Sequence, residues 1–121
     1  MFTLGAMLAI LLIAVVFIFY NKWLYMRFIK GNSMYPTFNA GEAFFISSKY
    51  TLQEGKVYVF LSPLDNTPVV KRLHRIRNGD LYFVGDNAND SLDSRDYGYV
   101  STKAVIGEAK KIKELFESWQ K

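Results

Sequence analysis

Three kinds of side chain in this sequence suit peptide-bond chemistry: a small hydroxyl on a stiff turn, an amine inside an apolar strand, and an acid and a guanidinium close to a second hydroxyl. The first hydroxyl is Ser33, in Gly31-Asn32-Ser33-Met34-Tyr35-Pro36-Thr37. Gly31 permits positive φ or a close backbone approach, while Pro36 fixes its own φ and steers Tyr35 away from the α region. The turn is therefore stiff, and a serine attacks a carbonyl only when it is held in a near-attack position. Ser33 is the candidate nucleophile. The same stretch also reads as an ordinary surface turn, since Gly, Asn, Ser and Pro all favour turns.

A serine nucleophile needs a base. Lys71 sits in Pro68-Val69-Val70-Lys71-Arg72-Leu73, where period-2 alternation places Val69, Lys71 and Leu73 on one face. One reading is an edge-strand lysine that snorkels into water. In the other, desolvation disfavours the ammonium, and a neutral amine takes the Ser33 proton. His74 is the rival base, but three residues on it faces the opposite side of an ideal strand unless a bulge intervenes.

The third stretch runs from Gly85-Asp86-Asn87 to Ser91-Leu92-Asp93-Ser94-Arg95. It reads either as a polar turn held by Asx-type bonds or as support for the base. As a calcium loop it is poor, with Ala88 at a ligand position and Ser91 where glycine is needed. As support, Ser91 orients the lysine amine, and Asp93 pairs with Arg95 to lock the loop that carries Ser91.

Behind these residues stand the elements that must position them. From Phe2 to Tyr20 there is no charge, and as a helix the run rises about 28 Å, close to the thickness of a bilayer core. It predicts a transmembrane anchor over 1–22, followed by a β catalytic domain over 23–121. A cleavable signal peptide fits less well, because there is no basic segment before the apolar run and no small-x-small site after it. A helix buried in a core is the other alternative. Trp23 and Tyr25 fall at the expected depth for interfacial rings. Lys22, Arg27 and Lys30 after the helix favour leaving the domain that follows in the cytoplasm, unless Arg27 and Lys30 belong to a folded strand instead of a loose flank.

Beyond the anchor, short β-branched and aromatic runs at 43–47, 57–61, 68–76 and 81–84 are separated by turn residues, the pattern of a small all-β domain. Residues 104–112 predict one more strand. Residues 114–120 predict a short helix that places Leu115, Phe116 and Trp119 on one side for packing or membrane contact. No cysteine is present, which removes disulfides and thiolate chemistry, and a single histidine removes any His-rich metal cluster. The net charge of +4 is scattered along the chain without interleaved aromatics, so the expectation is no nucleic acid and attraction to anionic lipid.

The three blocks, in this order, resemble the type I signal peptidases, membrane-anchored Ser/Lys proteases. The resemblance runs from about Phe28 to Gly107 and includes Tyr97-Gly98-Tyr99-Val100 as the terminal aromatic-Gly-x-Val. It implies a small, mostly antiparallel β domain of the signal-peptidase or LexA-like kind. It further implies Ser33 as nucleophile, Lys71 as general base, Ser91 as the hydroxyl that orients it, and Asp93, Arg95 and Gly85 as supporting residues. No metal or organic cofactor is implied. The implied activity is removal of N-terminal signal peptides from precursor proteins, by a single-pass membrane protein whose catalytic domain is extracytoplasmic.

There are departures. Gly31 stands where some members carry an oxyanion-holding serine, so the oxyanion hole would rest on the Ser33 N–H and an unnamed partner. Leu73-His74-Arg75-Ile76 echoes the branch in which histidine replaces the lysine, and the short interval from Lys71 to Gly85 marks a minimal member. Alternatives are a dedicated maturation protease for one precursor, such as that of nickel-type superoxide dismutase, and a catalytically idle interaction module. A self-cleaving repressor on the same Ser/Lys scaffold is disfavoured, because the apolar helix occupies the place of its DNA-binding domain.

Overall fold

The computed structural model describes residues 3–24 and 26–119. Helix α1 (Leu4–Leu24) leads into strands β1 (Met26–Phe28), β2 (Ala43–Ser47), β3 (Val57–Leu61), β4 (Pro68–Arg77) and β5 (Asp80–Val84). A short helix α2 (Ser94–Tyr97), strand β6 (Val105–Lys111) and helix α3 (Ile112–Trp119) complete the chain. The strands form one antiparallel six-stranded sheet in the order β1-β2-β6-β3-β4-β5. The β-rich expectation holds: β2 and β3 coincide with the expected runs, and β4, β5, β6 and α3 differ at their ends by a residue or two.

β3 lies inside the sheet and explains why Val57-Tyr58-Val59-Phe60 is apolar at every position instead of alternating. Val57 and Val59 pack into one buried cluster with Ile29, Met34, Phe38 and Phe44. Tyr58 and Phe60 point the other way, into a second cluster with Leu73, Leu81, Phe83 and Val100. A strand with both faces covered reads as a continuous apolar run. Phe60 and Phe83 stack at 4.1 Å between centroids, which ties β3 to β5 across β4.

The expected membrane anchor does not stand. Among the described residues no helix is long and apolar enough to cross a membrane. The fold-class expectation of a transmembrane helix, and the single-pass membrane localisation with an extracytoplasmic domain that depended on it, are corrected accordingly. The interfacial placing of Trp23 and Tyr25, and the shared face of Leu115, Phe116 and Trp119, fall outside the described side chains. Arg27 does lie on a strand, β1, which pairs Arg27 with Phe44 of β2.

Candidate active site

Residues 31–37 form a compact turn, opened by Gly31 at φ +72° and closed by a cis Tyr35-Pro36 bond. The Tyr35 N–H donates to the Asn32 carbonyl at 3.1 Å and the Phe38 N–H to Met34 at 2.9 Å. Met34 is a buried anchor at 1% exposure, so it fixes the turn to the core beside the half-buried Ser33.

Lys71 lies on β4, in register with Tyr58 of β3, and is 6% exposed. Burial holds its amine below the ordinary lysine value; the nearby Asp93 and Asp90 carboxylates pull the other way, and Arg95 reinforces the lowering. An edge lysine reaching into water would be neither buried nor shifted in this way. Ser33 and Lys71 line one groove of about 590 Å³, together with Phe28, Ile29, Met34, Phe44, Ile46, Val59, Val69 and Val70. Residues 27–30 and 67–71 both contribute to its lining.

His74 is placed elsewhere. The β4–β5 register shifts between Leu73 and Arg75, so a bulge falls at His74. The side chain is exposed, its ring 6.2 Å from that of Tyr82, and it does not line the groove.

The loop after β5 supports both groups. Asp93 is fully buried. It accepts from the Gly85 N–H at 2.8 Å, the Ser91 hydroxyl at 2.6 Å, and Arg95 Nε and Nη2 at 2.9 and 2.5 Å. Burial alone would raise the Asp93 carboxyl, but these donors outweigh it and hold the group far below the usual carboxylate range. Asp93 also caps α2, accepting from the Arg95 N–H at 3.0 Å, while Asp96 accepts from the Asp93 N–H at 3.0 Å. An ionised carboxylate has no proton to give, so Ser91 must be the donor of their bond, which leaves its oxygen lone pairs unused by that contact.

Gly85 is squeezed between the two halves of the site. A Cβ there would stand 2.2 Å from Ser91 Oγ and 2.6 Å from the Ser33 carbonyl oxygen. Glycine is required by this close approach, not by its φ. Next to it, the Asn87 N–H donates to the Ser33 carbonyl at 2.8 Å and Asn87 Nδ2 to the Asn32 carbonyl at 3.1 Å. The sequence reading gave Asn87, Asp86, Arg72 and Thr37 no part. Their positions directly beside Gly85, Lys71 and the Ser33 turn were the available signal.

The family model described as Peptidase S24-like matches residues 14–109. The chain belongs to that family. It is a serine-type peptidase of the Ser/Lys-dyad class, in a family of autoproteases distinct from the type I signal peptidases. No curated protein matches the chain.

The assignment corrects several expectations. The resemblance to signal peptidases rested on blocks set on a shared Ser/Lys scaffold, and those blocks did not separate the two families. The reading as a membrane-anchored endopeptidase for signal peptides is withdrawn, and with it membrane lipid and secretory precursors as partners. The dedicated maturation protease and the idle module go with it. The exclusion of nucleic acid also fails, because members of the S24 family characteristically bind DNA as repressors. The self-cleaving Ser/Lys scaffold, set aside because of the apolar helix, is the one the family match supports.

Proposed function

We propose that this chain cuts a peptide bond of its own polypeptide by acyl transfer, with Ser33 as nucleophile and Lys71 as general base. The observation that carries the reading is that Ser33 and the buried, down-shifted Lys71 line the same apolar groove. A neutral Lys71 Nζ takes the Ser33 Oγ proton as Oγ bonds to the scissile carbonyl carbon. The Lys71 ammonium then returns that proton to the leaving amine as the C–N bond breaks. Water, deprotonated by Lys71, hydrolyses the ester and restores the Ser33 hydroxyl. Ser91, whose hydroxyl hydrogen is committed to Asp93, has lone pairs left to accept from the Lys71 amine and so to orient it toward Ser33 in this reading. Among the described residues the Ser33 N–H has no acceptor, which leaves it for the developing oxyanion.

Self-cleavage is supported by the autoproteolytic character of the family. The test is to incubate the purified full chain from neutral to alkaline pH and follow its fragments by mass spectrometry. Fragments should form faster as pH rises, with a rate constant independent of protein concentration, and both Ser33→Ala and Lys71→Met should remain whole. Fragmentation of those variants at the wild-type rate would remove the dyad. A rate that climbs with concentration would reassign the substrate to a second molecule.

A further inference from the structure

Thr37, Arg72 and Asp86 sit on the three separate segments that carry the site, yet none of them lines the groove. Thr37 ends the Ser33 turn, Arg72 follows Lys71 on β4, and Asp86 follows Gly85. Asp86 binds the Arg72 guanidinium through both oxygens, accepting from Nε at 2.8 Å and Nη2 at 2.7 Å. It also accepts from the Thr37 hydroxyl. Arg72 Nη2 reaches Thr37 Oγ1 at 3.5 Å, and Arg72 Nη1 donates to the Gly55 carbonyl at 2.6 Å. Among the described residues, every side-chain hydrogen bond that joins the 31–37 turn to β4 runs through these three groups.

We infer that Thr37, Asp86 and Arg72 form a positioning clamp for acyl transfer, one that sets the reach from Ser33 to Lys71 without touching substrate. The inference rests on the reading of Ser33 and Lys71 as the dyad. Ser33 and Lys71 belong to different segments, so the distance between them depends on what fastens the turn to the strand. A guanidinium held by both carboxylate oxygens fixes direction as well as distance, which a lysine's point charge does not. The third donor, Thr37, transfers that fixed direction to the nucleophile's turn.

Two consequences separate a clamp from a general contribution to folding. Because the groove walls are untouched, loosening the clamp slows acylation and leaves binding alone. Because Lys71 is desolvated by its own strand and the groove, the pH at which it becomes active stays where it was. A displacement of about 1 Å between reacting groups costs on the order of 100-fold in rate, so the expected loss is large even when the fold is intact.

The probe is p-nitrophenyl acetate, an activated ester that acylates the full chain at Ser33. Acyl-enzyme is quantified by intact mass across pH, well below the melting temperature of each variant. Thr37→Val and Arg72→Lys should lower the saturating acylation rate about 10- to 100-fold, with the half-saturating ester concentration and the pH midpoint unchanged. Combining them should cost little beyond the worse single change, since each opens the same clamp. Thr37→Ser, which keeps the hydroxyl, should recover most of the rate. Wild-type rates in the folded variants would overturn the clamp. So would losses that merely follow melting temperature, or a shifted pH midpoint. Ser33→Ala tells the two inferences apart: if it acylates like wild type, the dyad itself fails, whereas a silent Ser33→Ala beside fully active clamp variants removes the clamp alone.

Discussion

The Arg72–Asp86 pair joins positions 14 residues apart and the Arg95–Asp93 pair positions 2 apart, both through close guanidinium–carboxylate contacts. The long-range pair is partly open to water on both sides, with side chains 32% and 16% exposed. In the local pair the carboxylate is wholly buried while the guanidinium reaches the surface. Distance along the chain and burial together assign different work to similar chemistry. A bond between remote segments fixes geometry that neither segment determines alone. A buried local carboxylate organises a loop, and its charge acts on the nearby Lys71. Arg95 offsets that charge, while the Arg72 side chain is taken up by Asp86 and Gly55.

The sharpest way to break the comparison is to remove each guanidinium. Arg95→Met leaves the Asp93 carboxylate buried with fewer donors and should cost about 3 kcal/mol of stability, at the low end for a buried pair because Arg95 is itself partly solvated. Arg72→Met should cost about 1–2 kcal/mol, as expected for charge-assisted hydrogen bonds at a partly exposed site. The two should also separate on a pH–rate profile. With Arg95 gone, Asp93 acts on Lys71 unopposed, its amine holds the proton more tightly, and the active limb moves to higher pH. With Arg72 gone, that limb should stay in place. Chemical denaturation at neutral pH and pH-dependent acylation check the two halves. Equal stability losses, or a shift with Arg72→Met alone, would dissolve the distinction.

A smaller effect sharpens it. Asp86 and Asp93 both have carboxyl groups held below the ordinary 3.8, so each contributes stability in full above that value and loses it as pH falls through its folded value. Lys71 runs the other way: its folded amine is held below the ordinary 10.5, so the charged, buried form is destabilising at neutral pH and the penalty fades as pH approaches 10.5. Lys71→Met should therefore melt at or above the wild-type temperature near neutrality, with the gap closing at alkaline pH. Acid unfolding of wild type should set in below the usual carboxylate range. Calorimetry across pH reads both, and a Lys71→Met chain that melts well below wild type at neutral pH would contradict the burial penalty.

The smallest expected change is at His74. Its side chain is exposed on the bulge and does not line the groove, so His74→Ala should retain nearly all of the acylation rate. A dead His74→Ala with an active Lys71→Met would move the base three residues along β4.

By itself the sequence was enough to locate five of the six strands and to single out candidate residues for the site. Period-2 alternation and turn residues are local, so β2 and β3 were legible to the residue, and a lysine between Val69 and Leu73 was visible as out of place. Ser91, Asp93 and Arg95 were legible as a unit because their bonds span only two residues. What the tertiary structure decided is everything that depends on distant segments meeting. The bulge that carries His74 out to solvent comes from the register of β4 against β5, which no local pattern in β4 encodes. Thr37 and Asp86 are 49 residues apart and read separately as a turn hydroxyl and a turn acid. Gly85 looked like a turn residue, and only the approach of Ser33 and Ser91 from two sides shows that there is no room for a Cβ. Hydropathy along the first residues was legible too, but it measures apolar character alone. The Ser/Lys blocks likewise marked a reaction, not a family, because a dyad's chemistry constrains only the few residues that perform it.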